Sequence, residues 1–207
     1  MALTIDTEDA AAAIRTYNRG MYGRWMNVAV DRRAYERFAS GLPSSESDLI
    51  DCIRFVGEDY GGAQRRFLPH DHRSEAKLIV ARLLPQIDDW MLFVNGAKPL
   101  LEEVPDEIVL GFLMRPFEGS KRWPVWASKT LHFIRPDVYP IIDSKAKVTM
   151  GLPNLGGSPK DYQRWCVAVR ETVFANPLAM NAARLADDGQ SPSELKLLDK
   201  ILYQMAL

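Results

Sequence analysis

The centre of the chain reads WPVWASKTLHFIRPDVYPIIDSKAKVTM, from Trp123 to Met150. Apolar residues occur on more than one side of a helical repeat between Trp126 and Ile134, so we expect a buried helix there. Pro136 and Pro140 cannot continue that helix, because proline lacks an amide hydrogen and its ring clashes with the preceding turn. Asp143 then opens a second helical run, which stops at a Gly-Leu-Pro sequence. The segment therefore predicts a helix, a rigid turn and a second helix.

Two ionisable residues flank this turn. Lys129 lies inside the first helix, and Asp143 follows it by 14 residues at the start of the second. Apolar surroundings disfavour the charged form of a lysine, so its amine can act as a nucleophile near neutral pH while a nearby carboxylate takes or returns its proton. Such a pair suits attack on an electrophilic carbon through an imine, one example being C1′ of a nucleoside. In the alternative interpretation both residues are purely structural. Lys129 then extends to the surface, and Asp143 caps the helix that begins at Ser144.

Charge is unevenly distributed along the chain, although the net formal charge is only −1. Residues 1–114 carry 13 Lys and Arg against 18 Asp and Glu, residues 115–160 carry 8 against 3, and residues 161–207 carry 5 against 6. The central segment, with a net charge of +5, can attract a polyanion locally. The alternative is a basic face that packs against the acidic remainder of the protein.

The composition indicates a folded globular protein. Its 207 residues are 47% hydrophobic, which suffices for one domain or two small lobes with a shared core. Cys52 and Cys166 are too few for a zinc site by themselves and predict buried free thiols. The N-terminus has no apolar signal region, and no run approaches the roughly 20 apolar residues of a membrane span, so we expect a cytoplasmic protein.

The rest of the chain predicts further helices. Apolar spacing and capping residues indicate helix starts near Thr7, Asp31, Asp48, Ser74, Ile87, Pro105, Ser158, Leu178 and Ser191. The run from Ile87 to Asn95 is compatible with a strand or a helix, and we expect a helix because no other segment alternates with period two. We predict an all-α fold of about nine or ten helices, with residues 1–207 forming one two-lobed unit around a site at residues 115–150.

A second group of polar residues lies in an expected loop, as His70-Asp71-His72. Imidazole and carboxylate groups are good ligands for zinc or iron. Since no third and fourth ligand lies nearby in sequence, we expect a polar loop that leads into a helix, and no metal.

The order of lysine, proline-containing turn and aspartate resembles the catalytic core of the helix-hairpin-helix DNA glycosylases, especially the 8-oxoguanine DNA glycosylase-like branch. The matching segments are Ala127-Ser128-Lys129 and Pro140-Ile141-Ile142-Asp143-Ser144. The resemblance implies a compact two-lobed helical fold, a nucleophilic Lys129, an essential Asp143, DNA as the partner and no cofactor. It also implies that a damaged or modified base is extruded, because the sugar carbon is inaccessible in a stacked duplex. Lys129 then attacks C1′ and forms a Schiff base, which permits strand cleavage by elimination.

The segment in front of the lysine departs from the family pattern. Members of the family use a Gly-x-Gly hairpin whose amides hold a DNA phosphate, whereas this chain has Trp123-Pro124-Val125-Trp126, and proline removes one amide. Charged contacts to phosphate can replace the amides. The basic residues suited to this role are Lys121, Arg122, Lys145 and Lys147.

Three further residues near the lysine have two interpretations each. Trp123 and Trp126 can stack on the flipped base or fill the gap it leaves, or they can be core aromatics. His132 lies three residues after Lys129 on the same side of the helix and can tune it, or it can be a core histidine with satisfied hydrogen bonds. The alternative function for the whole chain is a non-catalytic nucleic-acid-binding or defence-associated module, for which the altered hairpin would be the sequence mark.

Overall fold

The computed structural model describes residues 2–19, 28–58, 72–120 and 123–206, and these residues form α-helices and no strand. The eleven α-helices in these ranges are α1 (Thr7–Asn18), α2 (Val28–Phe38), α3 (Glu46–Glu58), α4 (His72–Leu83), α5 (Ile87–Gly96), α6 (Glu107–Met114), α7 (Trp123–Ile134), α8 (Ser144–Thr149), α9 (Pro159–Ala175), α10 (Pro177–Asp187) and α11 (Glu194–Met205). Short 3-10 turns follow α4 and α6. The predicted all-α fold of about ten helices is confirmed, as is the helix from Ile87.

Side-chain caps set the starts of several helices. Asp6, Asp106, Asp143, Ser158 and Ser193 each accept a hydrogen bond from a backbone amide of the first turn that follows. The helix expected from Pro105 begins two residues later, because the Asp106 side chain accepts from the amide of Ile108 at 2.7 Å. Local capping by these side chains therefore places the starts of these helices close to where the sequence predicts them.

Helix α7 is buried on every side from Trp126 to Phe133 and packs against α2, α3 and α6. It lies between two apolar clusters. Leu131 belongs to the larger cluster, which draws on most of the helices, whereas Phe133 belongs to a smaller one shared with α2 and α3. The Phe133 ring stacks on Phe38 of α2 with 5.7 Å between ring centroids. The position of α7 explains why its apolar residues are not confined to one face.

The two cysteines are buried free thiols, as predicted for Cys52 and Cys166. Within the described ranges, no helix is both long enough and apolar enough to cross a membrane.

Helix α3 approaches α7 closely at Gly57. A Cβ atom at this position would lie 2.1 Å from Cζ2 of Trp126, far inside van der Waals contact. The Trp126 ring is 4% exposed and has little room to move. Glycine at position 57 therefore allows the two helices to meet.

We expect Gly57→Ala to lower the free energy of unfolding by about 1–3 kcal/mol, because the added methyl group overpacks the interface with Trp126. Gly96→Ala at the end of α5 is the matched control, since no atom lies within 4 Å of the added Cβ. The control should be neutral or stabilising by up to about 1 kcal/mol. Urea denaturation of both variants measures the difference, and equal stabilities would contradict the packing described.

Candidate functional site

Lys129 lies in the interior of the protein. Its side chain is 7% exposed, and the adjacent residues Ser128 and Thr130 of α7 are fully buried. The alternative in which Lys129 extends to the surface is therefore wrong.

Asp143 is half-buried and caps α8. Its Oδ1 atom accepts a hydrogen bond from the amide of Ala146 at 2.8 Å. The capping interpretation of Asp143 is confirmed, but it occupies only part of the carboxylate, which has about four acceptor positions. Capping is therefore compatible with a chemical role.

A hydrogen bond holds the lysine and aspartate segments side by side. The hydroxyl oxygen of Ser128 accepts from the amide of Ile142 at 3.2 Å and donates to the carbonyl of Val125 at the same distance. Ser128 precedes Lys129 in sequence, and Ile142 precedes Asp143. The two functional residues are thus joined through their immediate neighbours.

Helix α9 fixes the same turn from the opposite side. The Tyr162 hydroxyl donates to the carbonyl of Pro140 at 2.8 Å, and Nε1 of Trp165 donates to the carbonyl of Ile141 at 3.1 Å. Both aromatic side chains are buried. Because these bonds satisfy consecutive carbonyl groups, the backbone that leads to Asp143 has little freedom.

Lys129 and Asp143 interact electrostatically. Burial raises the pKa of Asp143, and the negative charge of Asp199 raises it further, while the Ala146 amide and the positive charge of Lys129 act in the opposite direction. The charge of Lys129 therefore acts on Asp143, and the bond between Ser128 and Ile142 joins the two segments.

His132 is a fully buried residue with both ring nitrogens in hydrogen bonds. Nδ1 lies 2.7 Å from the carbonyl of Tyr139, and Nε2 lies 2.7 Å from the Tyr35 hydroxyl. Since a carbonyl can only accept, Nδ1 carries the proton and Nε2 accepts from Tyr35. Burial, followed by the charge of Lys196, lowers the pKa of His132 to about 4. His132 is therefore a core histidine with satisfied hydrogen bonds, which is the second of its two interpretations.

Sequence patterns did not reveal an ion-pair cluster next to this site. Lys196 of α11 is fully buried, with Nζ 2.8 Å from Asp199 and 3.1 Å from Asp31 of α2. A second buried pair joins Lys200 of α11 to Asp187 of α10 at 2.6 Å. Charged residues spaced three and four apart on a helix usually mark its solvent face. The carboxylate of Asp199 on the same helix, together with those of Asp31 and Asp187 from distant parts of the chain, compensates their charges.

The residues expected to contact nucleic acid are in different environments. Trp126 lies in the core against Gly57, so its position does not support contact with a base. Lys145 and Lys147 are half-buried: Nζ of Lys145 lies 4.4 Å from the Tyr203 ring centroid, and Nζ of Lys147 donates to the carbonyl of Leu155 at 2.7 Å.

Other residues discussed in the sequence analysis lie outside the described parts of the chain. These are Lys121, Arg122, the side chain of Trp123, and the His70-Asp71 pair with the side chain of His72. In the parts that are described, no group of three or more His, Cys, Asp or Glu residues could hold a metal ion.

An open groove of about 700 Å³ begins next to Asp143, between α8 and the end of α11. It is lined by Ser144, Lys145, Val148, Thr149, Met205 and Ala206. The groove gives an approach from solvent to the first turn of α8.

No protein-family model, curated protein or solved structure matches this chain. The functional interpretation therefore depends on the arrangement of Lys129 and Asp143.

We expect His132 to make the protein sensitive to mild acid. An unfolded histidine titrates near pH 6.5 and His132 near 4, so the unfolded chain binds the extra proton as the pH falls through this range. Wild type should lose about 2 kcal/mol of stability from this group between pH 7 and pH 5, a loss that His132→Gln cannot show. Urea unfolding of both proteins at pH 7 and pH 5 tests this. The free energy of unfolding of wild type minus that of His132→Gln should be about 2 kcal/mol smaller at pH 5 than at pH 7. An equal difference at both pH values would exclude the prediction.

Proposed function

We propose that this protein is a DNA glycosylase with associated lyase activity, which removes a damaged or modified base by attack of Lys129 on C1′ of an extruded nucleotide. The observation that carries the proposal is the hydrogen bond between Ser128 and Ile142, which holds the segments of the buried Lys129 and of Asp143 side by side, with the charge of Lys129 acting on Asp143. Their order around a proline-containing turn resembles the catalytic core of the helix-hairpin-helix glycosylases.

Proton transfer is the first requirement of this chemistry. An ammonium group cannot attack carbon, so Lys129 must lose a proton before it reacts. Burial and Asp199 raise the pKa of Asp143, which makes it a stronger proton acceptor than an exposed aspartate. Asp143 is therefore suited to take the proton from Lys129.

The bond changes then follow in order. The lone pair of the Lys129 amine forms a bond to C1′, and the glycosidic bond breaks with its electron pair on the departing base, which takes up the proton that Asp143 accepted from Lys129. The C1′–O4′ bond opens, O4′ takes up the proton that leaves the lysine nitrogen, and a Schiff base remains between Lys129 and the sugar. Once it has given up that proton, Asp143 is a carboxylate again, and its negative charge stabilises the positive charge that develops on the sugar.

The protein holds these two groups in position before substrate arrives. The Ser128 bond to Ile142 and the α9 bonds to the turn carbonyls limit movement of Asp143 relative to α7. Such preorganisation lowers the reorganisation cost of the reaction. Lys145 and Lys147 place positive charge on α8, where it can attract the phosphate backbone.

Borohydride trapping tests the nucleophile. Wild type, incubated with single strands and duplexes that contain 8-oxoguanine, uracil or other modified bases, should give a covalent protein–DNA adduct on at least one substrate. Lys129→Gln should give none, because glutamine has no nucleophilic amine. Lys160→Gln is the control, since Lys160 is an exposed lysine of the same basic segment, and it should match wild type. No wild-type adduct on any substrate would favour the non-catalytic module instead.

Asp143→Asn separates capping from chemistry. Asparagine can keep the hydrogen bond from Ala146 but carries no charge, so we expect stability within about 1 kcal/mol of wild type and adduct formation slowed by about 100-fold or more. Asp143→Ala should lose the cap as well, at a cost of about 1 kcal/mol. Thermal unfolding and single-turnover trapping measure the two effects. If Asp143→Asn reacts at the wild-type rate, Asp143 is only a cap.

A further inference from the structure

Three residues that the proposed reaction does not use form a buried cluster beside Asp143. Nζ of Lys196 lies between the carboxylates of Asp31 and Asp199, at 3.1 and 2.8 Å. We propose that these three residues, the Lys196 cluster, act as a positioning device that holds the Asp199 carboxylate on the face of α11 that packs against α8, toward Asp143. This inference rests on the proposed function for its role in catalysis.

The packing of α8 on α11 directs Asp199 toward Asp143. The Thr149 hydroxyl near the end of α8 donates to the carbonyl of Leu202 at 3.3 Å, and Nζ of Lys145 lies 4.4 Å from the Tyr203 ring centroid. Asp199 precedes Tyr203 by one helical turn, so both lie on the same face of α11. Lys145 follows Asp143 by two residues. The face of α11 that carries Asp199 therefore lies against the start of α8.

Electrostatic effects agree with this placement. After burial, the charge of Asp199 is the largest influence that raises the pKa of Asp143. Burial also raises the pKa of Tyr203, and the next contributions come from Asp143 and Asp199. Asp143, Asp199 and the Tyr203 hydroxyl therefore act on one another electrostatically where α8 packs against α11.

Lys196 is needed because two carboxylates cannot both ionise easily in a buried site. Lys196 supplies the cation that two neighbouring buried carboxylates require. Its Nζ lies within hydrogen-bonding distance of both carboxylates and so holds Asp199 and Asp31 in place. The cluster as a whole carries one net negative charge.

The N-terminal helices contribute to the site through this cluster. Asp31 comes from α2, and the Tyr17 hydroxyl of α1 donates to it at 2.9 Å. Tyr35, also on α2, donates to His132 on α7. Residues 1–60 carry no recognisable motif, and the cluster assigns their first two helices a place in the architecture of the site.

Few groups near Asp143 change charge between pH 4 and pH 8. The pKa of His132 lies at the lower edge of this range, and those of Tyr17, Tyr35 and Tyr203 lie above their usual value near 10. Among the described residues, the charged groups that act on Asp143 or on the cluster include Lys129 on α7, Asp31 on α2, and Lys196, Asp199 and Lys200 on α11. A change in the titration midpoint of Asp143 can therefore be assigned to a change in these neighbouring charges.

The test is a carbon-13 NMR titration of the Asp143 carboxyl in wild type, Asp199→Asn and Asp187→Asn. Asp199→Asn keeps the shape of the side chain and removes its charge, so the Asp143 midpoint should move to lower pH by about one unit, as expected for one neighbouring charge. Asp187→Asn is the matched control: it also breaks a buried lysine–aspartate pair on α11, with Lys200, but should leave the midpoint unchanged. An unchanged midpoint in Asp199→Asn, or equal shifts in both variants, would overturn the inference.

Two further measurements complete the test. In wild type, the Asp199 carboxyl signal should respond as Asp143 titrates, a result that does not require the variant to fold; independent titrations would contradict the inference. In borohydride trapping, the acid limb of the pH profile should move to lower pH in Asp199→Asn by the same amount as the NMR midpoint. If wild type forms no adduct on any substrate, the proposed function fails, whereas the NMR titration still decides whether the Lys196 cluster acts on Asp143.

Discussion

The burial of α7 on all sides is the constraint on which the site depends. A helix in this position sends polar as well as apolar side chains into the interior, and buried polar groups are costly unless they are hydrogen-bonded. Ser128 meets this requirement through the amide of Ile142, and His132 through Tyr35 and the carbonyl of Tyr139. These bonds determine the path of the turn that follows α7. Lys129 is held in the interior by the same packing, close to the carboxylate at the end of that turn.

Helix α11 adds a second set of buried charges. Charges away from water are tolerated only when they are paired and hydrogen-bonded, and removal of one partner is strongly destabilising. Lys196 and Lys200 satisfy this rule with carboxylates from α2, α10 and α11 itself. The pairs connect distant parts of the chain to one helix. Buried ion pairs add little net stability, and the pair of Lys196 with Asp199 lies on the helix that packs against α8.

The same geometry explains why capping and chemistry can share one residue. Asp143 accepts from the Ala146 amide, which orients its carboxylate, and burial makes that carboxylate a better proton acceptor. An aspartate that served only as a cap could be replaced by asparagine without loss. The proposed role as proton acceptor is the one that needs the charge of the carboxylate.

Local chemistry along the chain determined the all-α fold, the helix and turn around Pro136 and Pro140, and the cap at Asp143, because helical spacing, proline and capping residues act over a few neighbouring positions. The cooperation of Lys129 with Asp143, which their order around the turn suggested, stays a prediction. Tertiary structure alone decided that Trp126 packs in the core against Gly57 and that Lys196 is buried between Asp31 and Asp199. Those outcomes depend on partners from distant parts of the chain, and a charged residue on an amphipathic helix reads as solvent-exposed until its partner's position is known.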